Sequence, residues 1–84
     1  MDIGKPFHVL LAEDNSNDVE MFRVCLERAR ILNEISIVGD GEVALQYVRG
    51  EGQYSDRDEY PRPGLIFLDL NLPKKTGIDV LREI

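Results

Sequence analysis

The sequence predicts a small α/β protein built around a parallel β-sheet. Apolar runs of strand length occur at 8–12, 34–38 and 65–68, and a segment with helical spacing of apolar residues follows each run. The runs at 8–12 and 65–68 lack the polar alternation of half-buried strands, which is typical of strands buried on both faces of a parallel sheet. The order β-α-β-α-β-α therefore favours a parallel sheet with right-handed crossovers.

Length and composition restrict the function classes. A chain of 84 residues allows one domain at most. Sixteen acidic residues against ten basic residues give a net charge of −6, which argues against nucleic acid or an anionic membrane as a partner. The apolar runs are far shorter than the ~20 residues that cross a bilayer. The first residues lack the apolar core of a secretion signal, and the single Cys25 cannot form an internal disulfide, so we expect a cytoplasmic protein.

The first strand and helix meet at a pair of acids. The strand at 8–12 ends in Glu13 and Asp14, and a polar turn follows. Asn17 is predicted to cap the helix, with Glu20 in the reciprocal position of a capping box. The helix exit is predicted at Asn33. The buried stripe of this helix is predicted to be Val19, Phe22, Leu26 and Ala29.

The second unit consists of the strand at 34–38 and a helix that Asp40 caps, with Gly50 as its stop signal. Residues 51–64 contain two prolines, two glycines and a block of alternating charge. This composition predicts a surface loop, long enough to count as an insertion in the domain at 1–84.

The third unit begins with the apolar strand at 65–68, which ends abruptly in Asp69. A charge there is costly unless solvent, a cation or a partner can reach it. Thr76 and Asp79 fit a capping box for the helix that follows, which the sequence carries for about two turns.

Acidic residues thus follow two of the predicted strands. If these strands are neighbours, Glu13, Asp14 and Asp69 meet at the same edge of the sheet, with strand ends about 5 Å apart. Ligands of open α/β sheets bind at this edge. Clustered carboxylates either raise a pKa or bind a cation, and oxygen ligands suit Mg²⁺. The sequence therefore predicts an acidic Mg²⁺ pocket.

Three motifs in this order resemble the receiver domain of two-component response regulators. They are Val9-Leu10-Leu11-Ala12-Glu13-Asp14-Asn15, Gly39-Asp40-Gly41-Glu42-Val43-Ala44-Leu45, and the stretch 65–73 followed by Gly77. Lys74-Lys75 after Asn71-Leu72-Pro73, together with the Tyr- and Pro-containing insertion, resembles the subgroup partnered with cyanobacterial phytochromes.

The resemblance implies a role for each matching residue. Asp69 matches the phospho-acceptor, which takes a phosphoryl group from a phosphohistidine of a sensor histidine kinase and forms an aspartyl-phosphate. Asp14 matches a direct Mg²⁺ ligand, and Glu13 matches the acid that holds the metal through water. Asn71 matches the position whose backbone carbonyl completes the coordination. The positions that shape the loop are Pro73 and Gly77.

The resemblance also implies a flavodoxin-like fold of five strand–helix units, in which three units with sheet order 2-1-3 are present here. The family's Ser or Thr switch on the fourth strand and its phosphate-binding Lys on the fifth have no counterpart in this sequence. We therefore interpret the chain as the N-terminal part of a longer receiver, a signalling domain rather than an enzyme. The apolar strand at 65–68 would then form an open edge, and we expect self-association through it.

A different class of function also fits one motif. Gly39, Gly41 and Ala44 satisfy the dinucleotide-binding pattern G-x-G-x-x-A between a strand and a helix, with Asp69 as the later acid. Read this way, the chain is a fragment of a dinucleotide-binding domain. The motif follows the second strand instead of the first, and Glu13 and Asp14 would direct negative charge toward the phosphates, so we regard this as the alternative.

Overall fold

The computed structural model describes residues 7–69 and 72–84. Within them, no helix has the length and apolar character needed to cross a membrane. The elements are β1 (His8–Ala12), α1 (Ser16–Arg28), β2 (Ile35–Val38), α2 (Gly41–Arg49), a short 3-10 helix (Gly52–Tyr54), β3 (Pro63–Leu68) and α3 (Gly77–Glu83). The three strands form a parallel sheet in the order β2-β1-β3, which confirms the predicted fold class and strand order.

The central strand is β1, and it is the best-buried part of the sheet. Val9, Leu10 and Ala12 are fully buried because β1 has a neighbour on each side. The prediction that the strand at 65–68 is buried on both faces is wrong. Within residues 7–69 and 72–84, β3 pairs only with β1 and lies at the edge of the sheet, and Leu65 and Phe67 are 37% and 36% exposed.

The two faces of the sheet are packed unequally. The main core lies under α2 and α3, and its buried members are Leu10, Ala12, Val38, Ala44, Leu45, Tyr47, Tyr54, Leu72 and Val80. On the other face, the ring of Phe22 from α1 meets the ring of Phe67 edge-on, with centroids 4.6 Å apart. Edge-to-face geometry of this kind is favourable for aromatic pairs. Leu26 is the buried residue of α1.

The start of α1 differs from the sequence prediction. Asn15, not Asn17, is the N-cap: its backbone is extended, and its Oδ1 accepts from the backbone N–H of Asn17 at 2.9 Å and of Asp18 at 3.3 Å. Asn17 lies in the first turn of the helix, so its backbone N–H needs a hydrogen-bond acceptor, which the side chain of Asn15 supplies. The helix also ends earlier than predicted, at Arg28 rather than near Asn33.

The other helix ends agree with the sequence prediction. Oδ1 of Asp40 accepts from the N–H of Val43 at 2.8 Å at the start of α2. Gly50 ends this helix in the left-handed region, with φ 70° and ψ 38°. At α3, Thr76 and Asp79 form the predicted capping box through reciprocal bonds of 3.2 and 3.1 Å.

The segment at 51–64 packs back onto the domain through Tyr54, which is 8% exposed and lies 5.0 Å from the ring of Tyr47. A chain of hydrogen bonds joins His8 Nε2 to Ser36 Oγ (2.6 Å), Ser36 Oγ to the Tyr47 hydroxyl (3.1 Å), and that hydroxyl to the Pro61 carbonyl (3.0 Å). This chain ties the segment to both β1 and β2.

Candidate functional site

The site lies at the carboxyl ends of β1 and β3. The sheet hydrogen bonds continue one residue beyond each strand. The N–H of Glu13 donates to the carbonyl of Val38 at 3.0 Å, and the N–H of Asp69 donates to the carbonyl of Ala12 at 3.1 Å. The backbone of Glu13 and of Asp69 is therefore held in place by hydrogen bonds to neighbouring strands of the sheet.

This placement brings together the three carboxylates predicted from the sequence. Glu13, Asp14 and Asp69 each offer an oxygen, and these oxygens lie within 4.8 Å of one another. Glu13 and Asp69 are partly buried, whereas Asp14 is exposed. Since β1 and β3 are neighbours, the assumption behind the predicted pocket is correct. Asn71, the predicted backbone-carbonyl ligand, lies outside the described residues.

The electrostatics of the site are visible at Glu13. Burial raises the pKa of this carboxyl above its ordinary value of 4.5, and the neighbouring Asp69 raises it further. The backbone N–H of Asn15 donates to Glu13 Oε1 at 3.2 Å and acts in the opposite direction. Burial and the nearby Asp69 thus both disfavour the charged form of Glu13, and a cation bound here would favour it.

The donor set fits a hard divalent cation. All three side chains offer carboxylate oxygen, and Mg²⁺ is typically held by one or two carboxylates together with waters and phosphate oxygens. The exposed position of Asp14 leaves the cluster open to solvent on one side. A cation held here could therefore take a further ligand from the solvent side.

The loop that follows Asp69 is anchored to the domain. Leu72 is 4% exposed and belongs to the core. The carbonyl of Pro73 accepts from the N–H of Lys75 at 2.7 Å and from the N–H of Gly41 at 3.3 Å. Gly77, predicted to shape this loop, is buried at the first position of α3.

The sequence analysis missed Asn15. This residue caps α1 through its side chain and holds Glu13 Oε1 through its backbone N–H. A signal was available: Asn15 stands three residues before Asp18, and Asn with an acid at this spacing is typical of a helix start. The competing Asn17 obscured it.

The geometry around Gly41 argues against the dinucleotide interpretation. In that fold, the glycine makes room for a pyrophosphate. Here the space is taken by the chain itself, since a Cβ on Gly41 would lie 2.6 Å from the carbonyl carbon of Lys75. Ala44, a residue of α2, is fully buried in the main core. The motif therefore serves backbone packing, and this alternative is not supported.

Known proteins resemble this chain over most of its length. No protein-family model matches the chain. Response regulator Rcp1 of Synechocystis sp. is 42% identical over 94% of this chain and 52% of its own length. The probable methanogenesis regulatory protein FilR2 of Methanothrix harundinacea is 35% identical over 100% of this chain and 52% of its own length. The chain thus spans about half the length of the curated relatives it matches.

Solved structures resemble the chain equally well. The phosphorylated cyanobacterial phytochrome response regulator RcpA superposes with a TM-score of 0.83 at 41% identity, covering 95% of this chain and 55% of RcpA. The Mn²⁺-bound form of Rcp1 gives a TM-score of 0.81 at 42% identity, covering 94% of this chain and 55% of that structure. The chain is therefore a homologue of response regulator receiver domains over most of its own length, and the relatives it matches include phytochrome and bacteriophytochrome response regulators.

Proposed function

We propose that this chain is a phospho-accepting receiver of a two-component system, in which Asp69 takes a phosphoryl group from a phosphohistidine of a sensor histidine kinase. The observation that carries the proposal is the meeting of Asp69 with Glu13 and Asp14, whose oxygens lie within 4.8 Å of one another. Its relatives include a response regulator described as phosphorylated and another described as Mn²⁺-bound.

The proposed reaction is a transfer between two side chains. A carboxylate oxygen of Asp69 attacks phosphorus, and the new P–O bond forms as the P–N bond to the histidine breaks. The electron pair of that bond stays on the imidazole, whose other nitrogen is protonated before the transfer, so the histidine leaves as a neutral ring. The backbone N–H of Asp69 donates to the carbonyl of Ala12, and this hydrogen bond keeps the acceptor residue next to β1 during the proposed transfer.

The residues proposed to hold Mg²⁺ are Glu13, Asp14, Asp69 and the backbone carbonyl of Asn71. When bound, Mg²⁺ neutralises charge on the phosphoryl oxygens and orients them for in-line attack. Glu13 and Asp14 have no other acid–base task in this proposal, because the nucleophile is already a carboxylate. Pro73 and Gly77 are proposed to shape the loop beyond the acceptor.

The proposed setting follows from the same relatives. The kinase is proposed to be of the phytochrome type, since several related structures are described as phytochrome or bacteriophytochrome response regulators. We place the activity in the cytoplasm and expect no turnover of a separate substrate. Self-association through β3 is proposed as well, and neither nucleic acid nor membrane is proposed as a partner.

Beryllofluoride, a mimic of an aspartyl-phosphate, tests the proposal. Binding followed by fluorine NMR should require Mg²⁺ and should be lost in Asp69→Asn. Asp58→Asn is the matched control, because it makes the same change at an exposed residue of the segment 51–64. Retained binding in Asp69→Asn, or loss of binding in Asp58→Asn, would remove Asp69 from the role of acceptor.

A further inference from the structure

A small cavity lies between β2 and the segment 51–64. Its volume is about 260 Å³, below the range of pockets that hold drug-sized ligands, so it suits a small molecule or a single side chain. Its lining includes Ser36 of β2, Tyr47 of α2, and Tyr54 and Tyr60 of the segment. Among the described residues that line it, none belongs to the carboxylate cluster, so the cavity is separate from the candidate site.

The three tyrosine rings of the cavity pack against one another in different orientations. The centroid of Tyr54 lies 5.0 Å from that of Tyr47 and 5.0 Å from that of Tyr60. The rings of Tyr47 and Tyr60 lie 6.1 Å apart, with an angle of 84° between their planes. The face of an aromatic ring is electron-rich and attracts cations. Differently oriented aromatic rings around one cavity are the arrangement found in cages that bind organic cations.

The hydroxyl groups of Ser36 and Tyr47 offer this cavity acceptors rather than donors. The carbonyl of Pro61 has no proton to give, so the Tyr47 hydroxyl donates to it at 3.0 Å. Ser36 Oγ lies 3.1 Å from that hydroxyl and must therefore donate to it. Both protons are thus engaged within the protein. A ligand that meets either oxygen has to bring the proton itself.

The charges around the cavity favour a cation. The carboxylate of Glu59 raises the pKa of the hydroxyl of Tyr60, so negative charge lies beside one of the lining rings. The opposing charge is Arg57, whose guanidinium lies 5.8 Å from the ring centroid of Tyr47. This guanidinium donates to the carbonyls of Val48 and Tyr60 at 2.9 and 3.2 Å, and it is not part of the lining. The segment has four acidic residues against two basic ones.

We propose that this cavity binds a primary ammonium group, carried by a small amine or by a lysine side chain of another molecule. The tyrosine rings attract its charge, and the oxygens of Ser36 and Tyr47 accept its N–H groups. A quaternary ammonium has the charge but no N–H group, and an alcohol has a donor but no charge. Each should therefore bind more weakly. The inference does not involve Asp69, so it is independent of the proposed function.

Titrations followed by proton–nitrogen NMR test the inference, with butylammonium as the probe. Butylammonium should shift the amide signals of Ser36, Gln53 and Tyr60, which surround the cavity. Butanol should bind about 3- to 30-fold more weakly, the range expected for loss of a cation–π interaction. Butyltrimethylammonium should also bind more weakly, because it cannot donate to the two hydroxyl oxygens.

Substitutions at Tyr60 test the contribution of the ring. Tyr60→Leu should weaken butylammonium binding by a similar factor of about 3 to 30, whereas Tyr60→Phe keeps the ring face and should retain most of the affinity. Phe22→Leu is the matched control. It removes an aromatic pair on the other face of the sheet and should leave the affinity unchanged. Melting temperatures show whether each variant is folded.

The inference is overturned if butylammonium shifts none of these signals, if butanol binds as tightly, or if butyltrimethylammonium binds more tightly. It is also overturned if a folded Tyr60→Leu binds butylammonium as Phe22→Leu does. The comparison of the three probes uses the unchanged chain, so it decides the question even if Tyr60→Leu is unfolded. N-acetyl-lysine N-methylamide then separates the two carriers. Tighter binding than butylammonium supports a lysine side chain, and weaker binding supports a small amine.

Discussion

The backbone N–H of Asp69 donates a 3.1 Å hydrogen bond to the carbonyl of Ala12. The next residue after Ala12 is Glu13, so this single bond places the proposed acceptor beside the acidic end of β1. This hydrogen bond joins two backbone groups, so it does not depend on the charge of any side chain. Neutralising a carboxylate in the pocket should therefore change charge and metal binding while the strands keep their register.

Asp14→Asn should change stability in opposite directions with and without metal. Mg²⁺ stabilises the folded chain by mass action, so the melting temperature of the unchanged chain should rise on adding it. Asp14→Asn should reduce that rise, yet increase stability in a chelator, because one charge of a repelling cluster is gone. Thermal melts in EDTA and in Mg²⁺ measure both effects.

Asp58→Asn is the control for Asp14→Asn, because it removes an equal charge from the segment 51–64. It should leave the melting temperatures in EDTA and in Mg²⁺ nearly unchanged. A loss of metal-free stability in Asp14→Asn would contradict the interpretation. Asp14 would then be a structural hydrogen-bond acceptor rather than a member of a repulsive pocket.

Glu13 should make metal-free stability decrease as the pH rises. Its pKa is raised on folding above 4.5, chiefly by burial, so its favourable contribution is complete below pH 4.5 and is lost as the pH rises through the folded-state pKa. Glu13→Gln should remove this decrease and make the metal-free chain more stable at neutral pH. Urea unfolding across this range measures the effect, with the exposed Glu20→Gln as control. An identical pH profile for Glu13→Gln would exclude Glu13 as its source.

The capping box of α3 should contribute stability of the opposite pH dependence. Hydrogen bonding to Thr76 lowers the pKa of the Asp79 carboxyl below its ordinary value of 3.8. The backbone N–H of Thr76 has the larger effect and its side chain the smaller one. The contribution of Asp79 is therefore present above pH 3.8 and is lost as the pH falls through the folded-state pKa. Thr76→Ala should cost about 1 kcal/mol of unfolding free energy in urea, and Thr76→Ser should cost little. Equal losses in both variants would show that the hydroxyl does not cap the helix.

The open edge at β3 should cause self-association. The strand carries no charged residue, and Leu65 and Phe67 are exposed along it. Uncharged apolar edges pair with other chains. Sedimentation velocity at micromolar concentration should detect association that Leu65→Lys reduces. Leu32→Lys is the control, because Leu32 is 81% exposed in the connection between α1 and β2 and should not matter. A compact monomer at every concentration would contradict this prediction.

Much of the fold and the core of the site followed from local patterns in the sequence. Apolar runs predicted the strands, and their acidic ends predicted that Glu13, Asp14 and Asp69 would meet. These predictions succeeded because parallel strands present their carboxyl ends at one edge, whatever the details of packing. The order β2-β1-β3 came from the resemblance to receivers, and the structure has the same order.

The failures occurred where the outcome depends on a neighbour that the local pattern does not specify. The apolar composition of 65–68 predicted burial, but burial depends on the elements around the strand, and in the described part of the chain β3 pairs only with β1. Asn15 and Asn17 are equally good caps by residue type, and backbone conformation chose Asn15. Tyr54 stands among polar residues without periodicity, so nothing in its segment indicated that it would reach the core.

The hydrogen bonds that begin at His8 have only one possible direction. The carbonyl of Pro61 can only accept, so the single hydroxyl proton of Tyr47 points to it. Ser36 must then give its own proton to Tyr47, and Nε2 of His8 must carry the proton that Ser36 receives. The neutral ring of His8 is thus confined to the tautomer with its lone pair on Nδ1. The attachment of the segment 51–64 therefore requires a proton on Nε2 of His8 and places no demand on Nδ1.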